Sequence, residues 1–309
     1  MAVPVIVIFA PTACGKTALT VDLFGSGSLF DFKRKAEIIS CDSQAVYKKL
    51  DIGTAKPTQA ERSLVPYHMV DFVEPDVQFG LGEFMEIADG LCEEIWARGN
   101  VPVLCGGTGF YIRNFLLGAP ETPESNPQIR NQVKERLASC GKESLYAELK
   151  VIDPASAEKI NPNDEYRICR ALEVFYTSGK VLSSYKMPSE LRTHYRFLTI
   201  ILDRPKEELY ERIDQRVDSM FDEGLEAEVD MLKKNGYGKD APAMKAIGYS
   251  EFFIENIARD ELILKIKNDS HHYAKKQYTF MKGIPGAITV GADDTEKIVS
   301  LIMEFIDTL

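Results

Sequence analysis

Val3-Pro-Val-Ile-Val-Ile-Phe9, running directly into Ala10-Pro-Thr-Ala-Cys-Gly-Lys-Thr17, decides the fold of this chain. Seven mostly β-branched residues have the length and composition of a strand buried on both faces, and are too few for a helix. The loop that follows fits the phosphate-cradling pattern G-x-x-x-x-G-K-[ST], with Ala10 in place of the first glycine. In such a loop the backbone N–H groups face phosphate oxygens, and the lysine (Lys16) sets a cation against them. The hydroxyl after it (Thr17) can hold Mg²⁺, and the next helix adds its dipole. A chance Gly-Lys-Thr would lack this strand before it and helix after it.

Similar apolar runs recur at residues 37–41, 101–105 and 197–202, with helical periodicity between them at 83–98 and 206–221. Buried strands alternating with helices predict a parallel sheet covered on both faces, an α/β fold resembling the P-loop NTPases. Residues 120–196 read differently. They hold no buried strand, but show helical segments at 128–139, 143–150 and 165–178. Pro120, Pro123 and Pro127 mark the entry, and Ser183, Ser184, Pro188 and Ser189 the exit. The expected organisation is a core of residues 1–119 and 197–309 with a helical insertion at 120–196. The tail from Lys245 is helical, with a short apolar run at 287–290.

A length of 309 residues suits about two domains. With 45% hydrophobic and 27% charged residues, disordered, collagenous and membrane-spanning classes are excluded. The net charge of −10 argues against a protein that coats nucleic acid, yet leaves room for a local basic patch. None of Cys14, Cys41, Cys92, Cys105, Cys140 and Cys169 forms a C-x-x-C pair, so zinc and dithiol motifs are absent. Scattered thiols and the lack of a signal peptide predict a cytoplasmic location without a membrane partner.

Two further motifs fall at strand ends. Cys41-Asp42-Ser43-Gln44 presents a carboxylate that could be a metal ligand, a general base or a helix cap. Cys105-Gly-Gly-Thr-Gly-Phe-Tyr111 is a glycine turn opening a helix, with the Thr108 hydroxyl either facing a ligand or capping the turn. In an open parallel sheet, ligands sit beyond the carboxyl ends of the strands, so one pocket accounts for all three motifs. Arg212 and Arg216 share a helical face. Arg212 could pair with Glu208, whereas two adjacent cations without an anion between them repel. Arg167 and Arg170 also lie on one helix. Between Lys265 and Lys282 five lysines face one acid, with His271, His272, Tyr273, Tyr278 and Phe280 interleaved. That mixture suits a single-stranded nucleic acid and equally a solvated helix with core aromatics.

Taken together, these strings resemble the tRNA dimethylallyltransferases (tRNA isopentenyltransferases) of bacterial type. The resemblance rests on Thr12-Ala-Cys-Gly-Lys-Thr17, Asp42-Ser-Gln-Ala-Val-Tyr47 and Asp51-Ile-Gly-Thr-Ala-Lys-Pro57. It extends to Gly106-Gly-Thr-Gly-Phe-Tyr111, Asn163-Asp-Glu-Tyr-Arg-Ile-Cys-Arg-Ala-Leu-Glu173, Ala246-Ile-Gly-Tyr249 and Ala274-Lys-Lys-Gln277. The Asp51 string has no generic structural explanation.

The resemblance implies transfer of a dimethylallyl group from dimethylallyl diphosphate to the exocyclic amine of the adenine 3′ of the anticodon. It implies that Thr12, Ala13, Cys14, Gly15, Lys16, Thr17 and Arg216 hold the diphosphate, with Mg²⁺ on Thr17. Asp42 would accept the amine proton and Thr108 would assist the leaving oxygen. The anticodon stem-loop would be gripped by Asp42, Ser43, Gln44, Ala45, Arg130, Tyr166, Arg167, Ile168, Cys169, Arg170, Lys275, Lys276, Gln277 and Lys282. The enzyme is expected to be a monomer. Cys14, where the family usually has serine, is expected to be an activated thiol at a helix N-terminus, open to alkylation. A P-loop nucleoside or metabolite kinase, an adenylate isopentenyltransferase, and a nucleotide-gated RNA-binding switch are the alternatives.

Overall fold

The computed structural model describes residues 2–309. In chain order, β1 (Val3–Phe9), α1 (Lys16–Phe24), β2 (Ala36–Cys41), α2 (Gln59–Leu64) and β3 (Tyr67–His68) are followed by α3 (Leu81–Ala97), β4 (Val101–Gly106) and α4 (Gly109–Leu117). Three helices come next: α5 (Pro127–Ile152), α6 (Pro154–Lys159) and α7 (Glu165–Ser178). The chain then adds β5 (Tyr195–Asp203), α8 (Lys206–Asp222), α9 (Leu225–Lys234), α10 (Arg259–Met281), β6 (Ile288–Gly291) and α11 (Thr295–Asp307).

The six strands form one parallel sheet in the order β3-β2-β4-β1-β5-β6. Every residue of β1, β2 and β4 is buried, as strands covered on both faces must be. Because side chains alternate along a strand, Ile6 and Ile8 join one apolar layer with Leu19 and Leu23 of α1, Ile213 of α8, Ala274 of α10 and Ile302 of α11. The opposite face of β1, β2 and β4 meets α3. Phe9 pairs with Gly106, and Gly106 with Cys41. The loops after β1, β2 and β4 therefore open at one edge. A Cβ on Gly106 would fall 2.2 Å from the Cys41 carbonyl oxygen, so only glycine lets the two chains approach there.

The chain divides into a unit of residues through Leu116 with Leu191–Leu309, and a unit of Leu117–Glu190. Residue 196 lies inside β5. The second unit is helical and packs Val133, Leu145, Leu149, Ile168 and Leu172 into its own core. The two helices expected at 128–139 and 143–150 run end to end as α5, interrupted only at Gly141, whose φ is 78°. Asn126 caps α5, its side chain accepting from the Gln128 and Ile129 N–H groups, with Pro127 in the first turn. Asp164 caps α7 in the same way, through Arg167 N–H. The brief strand β3 and the six-residue α6 were too short to show a periodicity in sequence. Among the described residues no helix is long and apolar enough to cross a membrane.

At the start of β2, Glu37 is 5% exposed and fully partnered. Arg98 Nε and Nη2 donate to its two oxygens at 2.7 and 2.6 Å, Asn100 donates at 2.7 Å, and His68 Nε2 lies 2.7 Å away. The Arg98 guanidinium, more than any other neighbour, pulls the carboxyl down to about 2. A depressed pKa stabilises the fold above the unfolded value near 4.5, and that contribution is lost as pH falls through the folded value. Glu37→Gln is thus expected to cost on the order of 3 kcal/mol at neutral pH and far less at pH ~2. Urea melts of both proteins at the two pH values check this; a gap that does not shrink would contradict it.

Candidate active site

Beyond the carboxyl ends of β1, β2 and β4 lies a cavity of about 460 Å³. Its lining includes Thr12, Lys16, Thr17, Asp42, Arg216 and Gln277, so the first strand-end motif and the carboxylate of the second meet as expected. All of it belongs to the first unit. Lys16 Nζ donates to the carbonyls of Ala10 (3.1 Å) and Pro11 (2.8 Å). Arg216 reaches the loop from α8: Nη1 donates to Thr12 Oγ1 at 3.1 Å and Nη2 to the Thr54 carbonyl at 3.2 Å. Burial depresses the pKa of both cations, and the Asp42 carboxylate partly opposes it. Cations starved of water are those that gain most from an incoming anion.

The pairing of Arg212 with Glu208 does not form. Glu208 is taken by Arg204, which also holds Asp293, and Arg212 Nε donates to the Ala13 carbonyl at 2.9 Å. A helix face that looked solvated in sequence thus braces the phosphate loop.

Asp42 combines two of the roles left open by the sequence. Its Oδ1 accepts from the N–H groups of Gln44 (2.8 Å) and Ala45 (3.2 Å), capping the turn. Oδ2 has no hydrogen bond within the described residues, and the side chain lines the cavity. Thr108 is not itself part of that lining. Its Oγ1 accepts from Ser43 N–H at 3.0 Å and its N–H donates to the Cys41 carbonyl at 3.0 Å, joining the β2 and β4 loops. Tyr273, read in sequence as one aromatic of a basic run, lines the cavity beside Gln277.

The segment 51–57, opaque in sequence, is a built scaffold. Glu228 of α9 accepts from the N–H groups of Asp51 (2.9 Å), Ile52 (3.0 Å) and Gly53 (3.4 Å) and from the Tyr249 hydroxyl (2.5 Å). Lys56, 8% exposed, donates to the Tyr47 carbonyl (2.7 Å) and Asp71 (3.0 Å) and pairs with Asp51 (2.9 Å). Thr54, Ala55, Lys56 and Pro57 then form one wall of the cavity. Sequence reasoning passed over Glu228, although Tyr249 and the 51–57 string had both been singled out.

Several expectations for RNA contact need correction. Gln277 is 3% exposed: its Oε1 accepts from Thr12 N–H (2.9 Å) and its Nε2 donates to the Gly107 carbonyl (2.7 Å), so it fastens α10 to two loops at the cavity wall. Ile168 is wholly buried in the helical unit's core, which leaves its side chain no access to RNA, whereas Ala45, 3% exposed, belongs to the wall of the cavity. Cys169 packs partly against that same core. In the helical unit Tyr166 and Arg167 are exposed and Arg130 is half-buried, whereas Arg170 is held by the Pro123 carbonyl and Glu173. On α10, Lys275 and Lys276 are exposed, as is Lys282 just after it. Lys265 and Lys267 are paired with Asp269 and Asp218, which shortens the basic run to the helix's final turns.

The activated-thiol reading of Cys14 is overturned. The side chain is 1% exposed, packs in the sheet's apolar layer, and burial pushes the thiol up. Only the backbone of this residue belongs to the phosphate loop. Iodoacetamide acting on the folded protein is expected to label exposed Cys140 and spare Cys14 and Cys105, the latter's thiol raised to about 12. Mass spectrometry of tryptic peptides reads the outcome, and equal labelling of Cys14 and Cys140 would overturn it.

Residues 45–283 match the model of the family described as IPP transferase. The chain belongs to the IPP transferase family. Among its relatives is a tRNA dimethylallyltransferase of Roseiflexus sp. (strain RS-1), 40% identical over 313 residues and aligned across 99% of both chains. The solved tRNA isopentenylpyrophosphate transferase of Bacillus halodurans is 31% identical, with a TM-score of 0.68 over 99% of this chain and 97% of that one. A eukaryotic dimethylallyltransferase solved acting on tRNA is 26% identical, with a TM-score of 0.79 over 99% of this chain and 80% of that one. The P-loop-like α/β fold of the IPP transferase family is the one described above.

Proposed function

We propose that the chain transfers a dimethylallyl group from dimethylallyl diphosphate to tRNA, on the exocyclic amine of the adenine 3′-adjacent to the anticodon, releasing diphosphate. The observation that carries this reading is one cavity holding a phosphate loop, two half-buried cations and a carboxylate with a free oxygen. Lys16, Arg216 and the loop N–H groups bind the diphosphate. Its departing negative charge is met by fixed dipoles and cations already in place. As the amine nitrogen bonds to the allylic carbon and the carbon–oxygen bond breaks, Asp42 Oδ2 takes the proton the nitrogen sheds. Thr108, tied to Ser43 and the Cys41 carbonyl, fixes the height of the β2 and β4 loops around the reacting atoms.

The residues present fit Mg²⁺. Thr17 lines the cavity and its hydroxyl makes no hydrogen bond within the described residues. No group of three or more His, Cys, Asp or Glu suited to a metal exists among the described residues. A site with one or two protein oxygens suits Mg²⁺, which takes its remaining ligands from water and phosphate. When bound, the ion would neutralise diphosphate charge.

For the RNA, Tyr166, Arg167 and Arg130 of the helical unit and Lys275, Lys276 and Lys282 supply the exposed aromatic and cationic groups. The target base must leave its stack to enter the cavity. The chain is read as a monomer acting in the cytoplasm. Incubation with labelled dimethylallyl diphosphate, Mg²⁺ and tRNA lacking the modification is expected to give prenylated adenosine in nuclease digests. Unlabelled tRNA would overturn the proposal; ATP consumption or prenylation of free nucleotide would favour a kinase or an adenylate isopentenyltransferase.

A further inference from the structure

We propose that Glu228, outside the cavity, is the positioning residue for the diphosphate-binding guanidinium of Arg216, acting through the 51–54 loop and Tyr249. This rests on the reading of Arg216 as a diphosphate ligand.

Glu228 is 9% exposed, and no lysine or arginine balances it. Its partners are backbone N–H groups and one phenol. Oε2 accepts from Asp51 and Ile52, and Oε1 from Ile52, Gly53 and the Tyr249 hydroxyl. A carboxylate has about four lone-pair directions, so this one is filled. A buried charge satisfied in this way costs far less than an orphaned one, and it pins the donors in return. The loop is gripped from its other side as well: a Cβ on Gly53 would stand 2.5 Å from the Tyr249 ring, so only glycine lets the backbone lie flat on it.

The next residue carries the consequence. The Thr54 carbonyl accepts from Arg216 Nη2, and the Thr54 hydroxyl donates to the Leu50 carbonyl at 2.5 Å, fixing the direction of the turn. Arg216 is thus slung between Thr12 of the phosphate loop and Thr54 of the Glu228-held loop. A shift of the second support turns the guanidinium away from the loop that it must serve and weakens its hold on a diphosphate.

Glu228→Gln keeps the side-chain volume but turns one end of the group into a donor facing donors. Titration calorimetry of the full chain with Mg²⁺ and inorganic diphosphate is expected to show an affinity about tenfold weaker than that of the unaltered protein. The KM for dimethylallyl diphosphate should rise in parallel, while kcat and the KM for tRNA stay within about threefold. A merely structural role would not predict the coupling that decides the matter: in an Arg216→Lys background, Glu228→Gln is expected to add less than about twofold. Tyr249→Phe, a gentler change, should show the same non-additivity on a smaller scale and serves if Glu228→Gln does not fold. Unchanged diphosphate affinity in Glu228→Gln, or losses that simply multiply in the double variant, would overturn the proposal. Failure of the unaltered chain to bind diphosphate would instead overturn the reading of the cavity.

Discussion

Asp42→Asn is expected to lower kcat by about a thousandfold while diphosphate affinity stays within about twofold of the unaltered chain. Asparagine is the informative replacement because Asp42 does two jobs with two oxygens. Oδ1 accepts from the N–H groups of Gln44 and Ala45 and shapes the turn after β2. An amide oxygen does that equally well, so the turn and the Thr108 bridge to Ser43 should survive. What an amide cannot do is accept a proton, and a correctly placed base contributes on the order of 10²–10⁴ in rate. Alanine removes both jobs and would confuse them. Single-turnover prenylation of tRNA, beside calorimetry with diphosphate, separates chemistry from binding; equal losses in both would show that Asp42 only shapes the loop.

Lys16→Met should act on the other quantity. Methionine keeps much of the apolar stem, while the cation that now donates to the Ala10 and Pro11 carbonyls is gone. Burial depresses the Lys16 pKa, so its charge is poorly solvated and its attraction for an anion is weakly screened. Removing one partner of such a buried pair costs about 3–5 kcal/mol, which is roughly 10²–10⁴ in diphosphate affinity. The loss should persist at about 1 M salt, where surface pairs fade. An affinity within about threefold of the original would show that Arg216 and the backbone N–H groups hold the ligand alone.

The sequence made legible what depends on local pattern. β1, β2, β4 and β5 are apolar runs of strand length, and the phosphate loop is a contiguous string, so the sheet and the Lys16–Thr17 end of the cavity could be read directly. Contacts between distant segments could not. Glu228 has no local signature, because most of its partners are backbone groups 175–177 residues away. Gln277 illustrates the same limit: a polar residue between lysines reads as surface, but on α10 it falls on the face with Ala274 and Met281, turned inward. Cys14 misled for a related reason. Position at a helix N-terminus favours a thiolate, yet its side chain points into the apolar layer, and desolvation outweighs the nearby cations.

The strand order carries a consequence for how the chain is made. β1 is translated long before one of its two neighbours, β5, which begins only at Tyr195. At ribosomal speeds the intervening chain takes on the order of 10–40 s to emerge. During that interval the β3-β2-β4-β1 half-sheet can assemble, and the helical unit, which has its own core, can follow. Throughout, β1 presents a bare row of N–H and C=O groups along an apolar edge. Such an edge invites pairing with a stranger until β5 arrives to claim it. A nascent chain stalled before Tyr195 would be the aggregation-prone species, because the strand that covers this edge has not yet been made.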